Sequence, residues 1–175
     1  MTRRINTALI SEILIRSVLE LILRDIFLIR QKVKEESINH RLAIYIERYL
    51  EQYIADSRYH VDVEYNKCYT DPKRVVTDKG EIEIRPDILV HKRNGPKDNL
   101  LVIEAKKGYS TKHDRDKMKN LLEKPYSYTS TALVSYLPDR PHTLIRMNYQ
   151  DGCGEKIYIQ NSDPYIVERI TDLQI

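Results

Sequence analysis

Tryptophan is absent from this 175-residue chain, phenylalanine occurs once, and there are only two cysteines and five glycines. Cys68 and Cys153 stand apart, with no CxxC pair. A disulfide framework and a structural zinc site therefore lack the spacing they need, and a reducing, cytoplasmic setting is the expectation. The glycines are too scattered to cradle a phosphate, and no P-loop, zinc-finger or recognition-helix pattern occurs. Long uncharged apolar runs are missing too. The stretch after Met1 to Arg4 is broken by Glu12, Arg16, Glu20 and Arg24, so neither a targeting segment nor a membrane span is expected there. There is no internal repeat and no low-complexity segment.

What is present suits one compact domain over residues 1–175. The chain is 41% hydrophobic, enough for a core at this length, and 31% charged, with a mean hydropathy of −0.54. Its net charge of +3 decides little about partners by itself.

The four interrupting charges alternate in sign at i, i+4 steps, which on a helix gives a ladder of favourable neighbours. A first helix is thus expected over residues 6–32. Its apolar surface (Leu9, Ile13, Leu14, Val18, Ile22 and Phe27 among others) is wider than one neighbour requires, so it is buried deeply or meets another chain, as in a homodimer through this helix. A second helix starts near Glu36 and carries Ile38, Leu42, Tyr45, Ile46 and Tyr49 as its core stripe, with Glu36, His40, Ala43 and Glu47 on another stripe. Residues 61–66 alternate as a half-buried strand, and 70–80 have the composition of a turn or loop. Strands are expected at 86–92, 99–106, 131–137, 142–149 and 156–160, with a helix over 114–124. Helices enclosing a mixed sheet are the expected α/β architecture.

The segment 85–107 raises the chemical question, because an Asp opens its first apolar run and a Glu-Ala-Lys closes its second. If 86–92 and 99–106 pair in antiparallel fashion around a turn centred on Gly95 and Pro96, Asp87 faces Glu104. Directly opposed side chains have Cβ atoms about 4.5–5.5 Å apart, close enough for two carboxylates to share one cation. Lys106, two residues past Glu104, lies on the same face. Two opposed carboxylates among Ile88, Leu89, Val90, Val102 and Ile103 repel and are costly to desolvate, a conflict that a divalent cation removes. Oxygen ligands favour Mg²⁺ or Mn²⁺, which suit phosphate chemistry. There Lys106 could orient or help deprotonate an attacking water and offset charge on phosphorus.

Pro86-Asp87, sixteen residues and then Glu104-Ala105-Lys106 resemble the motif of the PD-(D/E)XK nuclease superfamily, the restriction-endonuclease-like fold. A helix before the strands and another after the Glu-x-Lys strand are similar to its common core, and the segments 36–42 and 61–66 resemble uncharacterised bacterial members. The resemblance implies an αβββαβ core over 35–137, preceded by an N-terminal helical extension (1–34) and followed by C-terminal strands (138–175). It also implies a Mg²⁺-dependent nuclease, with Mn²⁺ as a substitute, acting on phosphodiesters of DNA or RNA. Asp87 and Glu104 would be metal ligands and Lys106 the catalytic lysine. Many members add an acid from the first core helix; Glu36 is the choice and Glu47 its competitor. His40, one turn beyond Glu36, and Lys117, with Asp114 one turn back, would contact substrate or metal-bound water.

Charge distribution agrees with such a partner. Residues 85–124 hold 11 Lys/Arg against 6 Asp/Glu, or +5, while the remainder is at −2. Lys92, Arg93, Lys97, Lys107, Lys112, Arg115 and Lys119 are placed in that segment to meet phosphates. Of the 13 tyrosines, Tyr109, Tyr126 and Tyr128 lie near it and could stack on bases. The alternative is a catalytically inactive module of the same fold that binds nucleic acid or a partner protein.

Overall fold

The computed structural model describes residues 5–54, 56–68, 71–77, 80–93, 98–171 and 173. Helices α1 (Thr7–Arg30) and α2 (Glu35–Tyr53) come first. Strand β1 (His60–Val63) is followed by the short β2 (Lys67–Cys68) and β3 (Asp71–Pro72) and by the hairpin β4 (Arg74–Thr77) and β5 (Gly80–Glu83). Then come β6 (Ile88–His91), β7 (Leu101–Lys106), α3 (Lys112–Leu122), β8 (Ser130–Ser135), β9 (His142–Tyr149), β10 (Gly154–Gln160) and β11 (Ile166–Ile170).

Seven strands form one mixed sheet in the order β1-β6-β7-β8-β9-β10-β11. Every neighbouring pair is antiparallel except β7 and β8, which run parallel and are joined by α3 as the crossover. A parallel pair needs such a crossover, and a helix satisfies its own backbone while covering the sheet. The protein is therefore an α/β fold with a mixed sheet between helices. Among the described residues no helix is long and apolar enough to cross a membrane.

Strand alternation divides the core in two. Ile88, Val90, Leu101, Ile103, Ala105, Ala132 and Val134 face α1 and α2. Leu89, Val102 and Leu133 face the other side, with Met118 and Leu121 of α3 and with Val75 and Ile84 at the β4–β5 hairpin. Period-two alternation makes position 104 share the α3 face with 102.

The first helix is integral to this core. Leu9, Ile10, Ile13, Leu14, Val18 and Ile22 are all buried within the chain, while Leu23 and Phe27 remain exposed at 66% and 67%. Its expected ladder is formed: Glu12 accepts from Arg16 at 2.6 Å, and Glu20 pairs with Arg24 and, at 2.9 Å, with Arg48 of α2. The Asn6 side chain caps its start, accepting from Leu9 N–H at 2.9 Å. Near its end Asp25 leaves helical geometry, and its carboxylate accepts from Arg41 and Tyr45 of α2.

The structure departs from the sequence reading at three places. The 70–80 stretch contributes to two short hairpins where a loop was expected. Strand β11 lies beyond the last expected strand, because its Ile166, Val167, Glu168 and Arg169 are exposed and carry no burial alternation. And α3 starts at Lys112, one turn's edge earlier than expected, because Thr111 caps it and Asp114 closes the capping box. The turn at Gly95 and Pro96, and Lys97, lie outside the described residues.

Candidate active site

Register is the first result here. Ile88 pairs with Ile103, Leu89 with Val102 and Val90 with Leu101, so the next position in the ladder sets Asp87 beside Glu104. Asp87 is fixed there by a bond of its own: Oδ2 accepts from the backbone N–H of Ala105 at 2.7 Å. An Asp just before a buried strand can reach across to its neighbour's backbone in this way because its side chain is short. Burial pushes its carboxyl up to about 6, opposed by the Ala105 N–H and reinforced by the neighbouring Glu104 and Glu35 carboxylates.

Glu104 is shielded from water, and its two oxygens differ. Oε1 accepts from Lys117 Nζ at 2.5 Å, with both side chains 13% exposed. Oε2 is buried with no hydrogen-bond partner among the described residues. Buried carboxylate oxygens normally carry donors, so an orphan oxygen marks a place where something polar or cationic belongs.

Lys106 extends from the same strand face to Asp114 Oδ1, 3.2 Å away. Asp114 is itself held: its Oδ2 accepts from the Thr111 N–H and Oγ, each at 2.8 Å. Burial lowers the Lys106 pKa, but Asp114, Glu104 and Glu35 outweigh it and the amine is raised above its ordinary value. Asp114 in turn is lowered, since the bonds from Thr111 and Lys106 outweigh its burial. Two lysines and two acids thus alternate along the facing surfaces of β7 and α3: Glu104 to Lys117, and Lys106 to Asp114.

The helix carboxylate beside this cluster is Glu35, not the expected Glu36. Glu35 Oε1 accepts from the backbone N–H of Lys107 at 3.1 Å, and its charge acts on Asp87 and Lys106. One turn on, buried Asn39 accepts from Tyr136 of the chain after β8 at 3.1 Å. Glu36 and His40 are exposed. The reason is helical phase. At 100° per residue, position 35 lies roughly 20° from the buried Leu42 and position 36 roughly 120° from it. The signal was present in the sequence as Glu35, Asn39, Leu42 and Ile46 at i, i+4, i+7, i+11. Glu47 is also exposed.

Other expected contacts are dispersed. Lys117 joins the cluster through Glu104. Lys107 meets it by its backbone, while its amine donates to Lys32 O at 3.2 Å. Arg93 lies at the opposite end of β6 from Asp87 and pairs with Asp62 at 2.5 Å. Tyr126 and Tyr128 are buried in the core under α3, which leaves Tyr109 exposed among the tyrosines expected to stack on bases.

Among the described residues no group of three or more His, Cys, Asp or Glu side chains is placed to hold a metal ion by itself. Mg²⁺, however, retains several waters and is commonly held by one or two carboxylates with substrate phosphate completing the shell. Asp87 and the orphan Oε2 of Glu104 fit that smaller demand. Comparison with protein-family models, curated proteins and solved structures returns no match for this chain.

Proposed function

We propose that this protein is a divalent-cation-dependent nuclease of the restriction-endonuclease-like fold, hydrolysing phosphodiester bonds of DNA or RNA. The observation that carries the reading is the buried, unpartnered Glu104 Oε2 next to Asp87, on a strand face that also bears Lys106. The order α2, β1, β6, β7, α3, β8 supports it, being one helix, three antiparallel strands, a crossover helix and a parallel strand.

Asp87 and Glu104 are the residues to hold Mg²⁺ or Mn²⁺, and such a cation supplies Lewis acidity to a phosphoryl oxygen and acidity to a bound water. Asp87 must be ionised to take part, which its raised pKa delays until about pH 6 in the absence of a cation. A cation on Oε2 would compete with Lys117 for the Glu104 charge, and the Lys117 ammonium on Oε1 lies beside the site as a partner for substrate phosphate. Lys106 stays protonated, because its pKa is raised. Its role is therefore to hold a non-bridging oxygen and offset the charge that builds on phosphorus as water attacks and the ester oxygen leaves; this favours electrostatic stabilisation over proton abstraction. Asp114, tied to the helix cap, positions Lys106. The +5 segment 85–124 supplies phosphate attraction.

One observation favours a second reading. The closed Lys117–Glu104 pair neutralises Glu104 without any cation, as an inactive nucleic-acid-binding module would require. Plasmid and single-stranded DNA and RNA incubated with Mg²⁺, with Mn²⁺ and with EDTA separate the two. Cleavage that needs the cation and disappears in Asp87→Ala and Lys106→Ala supports the nuclease; binding without cleavage, indifferent to EDTA, supports the module.

A further inference from the structure

The row of residues that begins at Asp87 and Glu104 continues across the sheet. Glu104 pairs with Leu133, Leu133 with Arg146 and Arg146 with Lys156, so these positions lie side by side on one face. Alternation fixes which face it is. Ile145, Met147, Ile157 and Ile159 belong to the core under α1 and α2, and Leu133 to the core under α3. Met118 and Leu121 of α3 pack with Val102 and Leu133 of β7 and β8. On β10 the same face opens: Ile157 and Ile159 are fully buried, whereas Lys156, Tyr158 and Gln160 are partly exposed.

Two cations thus stand directly opposite one another, Arg146 on β9 and Lys156 on β10. Like charges opposed on neighbouring strands repel, their Cβ atoms being only about 4.5–5.5 Å apart. A third cation is close by, since burial and then the charge of Arg115 on α3 hold the Arg146 guanidinium below its ordinary value. Most of the described arginines are paired with carboxylates, Arg16, Arg41, Arg93 and Arg169 among them. Among the described residues no carboxylate forms an ion pair with Arg115, Arg146 or Lys156. Glu155, next to Lys156 in the chain, is turned to the other face and held there by Ser11 and Arg169. Glu168 of β11 lies opposite Tyr158 and is exposed. The conflict is the reverse of that between Asp87 and Glu104, and a chain of anions removes it.

We propose that Arg115, Arg146 and Lys156 hold the sugar-phosphate backbone of a nucleic acid strand that runs from the Asp87–Glu104 cluster across β9 and β10. The nuclease reading says where such a strand is cut; the inference rests on it for that and adds where the strand is held. At about 4.8 Å per strand, Arg146 lies about 10 Å and Lys156 about 14 Å from Glu104 along the row, so nucleotides flanking the reacting phosphate reach them. Guanidinium and ammonium groups are strong donors to phosphate oxygens, and such contacts carry no base preference. Arg146 and Lys156 lie outside the basic segment 85–124.

Anisotropy titrations of the full chain in EDTA, where a metal-dependent enzyme does not cut, test the surface at several salt concentrations. The probes are labelled thymidine strands of eight and of two nucleotides. The variants are Arg146→Gln, Lys156→Gln and, as a charge-matched control on the opposite side of the sheet, the exposed Arg48→Gln. Each of the first two should fold, because each keeps a polar side chain and relieves the repulsion. Wild type should bind the octamer more tightly than the dinucleotide. Arg146→Gln and Lys156→Gln should each weaken octamer binding about tenfold and lower the slope of log affinity against log salt by about 0.7, while Arg48→Gln changes neither. With Mg²⁺ they should raise KM and leave kcat nearly unchanged. Octamer binding that depends on both residues, without cleavage under any cation, retains the surface and discards the nuclease. Cation-dependent cleavage with octamer affinity and KM unmoved in both variants retains the nuclease and overturns the surface. An octaglutamate peptide that competes as well as the octamer overturns the assignment to a nucleic acid.

Discussion

Lys117 Nζ lies 2.5 Å from Glu104 Oε1, so an ammonium from the crossover helix occupies one side of the carboxylate pair at the end of β7. The pair is nearly enclosed, and that sets its consequences. Lys117 is the internal counter-ion of Glu104, and a divalent cation at Asp87 and Glu104 competes with it.

Replacing Lys117 by Met should therefore act unequally on the two states. Without divalent cation, the variant leaves Glu104 buried and uncompensated, at a cost of about 3 kcal/mol or somewhat more. With saturating Mg²⁺ most of that loss should return, so the rise in melting temperature on adding Mg²⁺ is larger than in the wild type. Thermal melts with Mg²⁺ and with EDTA at equal ionic strength measure it. An identical rise in both proteins would show that Lys117 and the cation do not compete.

The raised Asp87 pKa makes a pH prediction with a definite sign. The native state holds this proton up to about pH 6, while the unfolded chain releases it near the ordinary Asp value of 3.8. Between those values the native state binds more protons, so stability falls as pH rises, by about 3 kcal/mol at most for this one group. Asp87→Asn keeps an acceptor for the Ala105 N–H and removes the titration. Urea unfolding in EDTA from pH 4 to 7 should show the variant gaining on the wild type through that window. Parallel curves would place the Asp87 pKa near its ordinary value.

Helical phase separates two adjacent glutamates. Glu35→Gln should weaken divalent-cation binding or cleavage, because Glu35 acts on both Asp87 and Lys106 and holds the Lys107 backbone. Glu36→Gln and His40→Ala, both at exposed positions, should leave stability within about 0.5 kcal/mol of wild type and leave activity unchanged. Cleavage rates and melts of the three variants decide it; a loss confined to Glu36→Gln would reverse the assignment.

Thr111→Ala removes the N-cap of α3 and should cost about 1 kcal/mol. Because Thr111 also donates to Asp114, the same change loosens the carboxylate that positions Lys106. Denaturant unfolding gives the first effect. The second appears as a lower turnover with little change in substrate affinity, and Thr111→Ser, which keeps the hydroxyl, should restore both.

The sequence made the β6–β7 register legible because residue pairs around a single turn obey one sum and the apolar runs on either side agree with it; Ile88 opposite Ile103 follows directly. The two first helices were legible from their periodicity, and the Glu12–Arg16 pair from its spacing. Glu36 lies off the core stripe, as its spacing indicated, while the stripe through Leu42 and Ile46 carries Glu35 and Asn39 toward the cluster. The β4–β5 hairpin was missed because Arg74 to Thr77 alternates buried and exposed over only four residues, too few to distinguish from a loop.

The account stands on a cation held between Asp87 and Glu104, and calorimetric titration of Mn²⁺ into the wild type, Asp87→Asn and Glu104→Gln measures that directly. It predicts saturable binding to the wild type that is lost or at least tenfold weaker in both variants, one decade being about 1.4 kcal/mol. Binding of equal strength in all three proteins, or none in the wild type with phosphodiester substrate present, would contradict it.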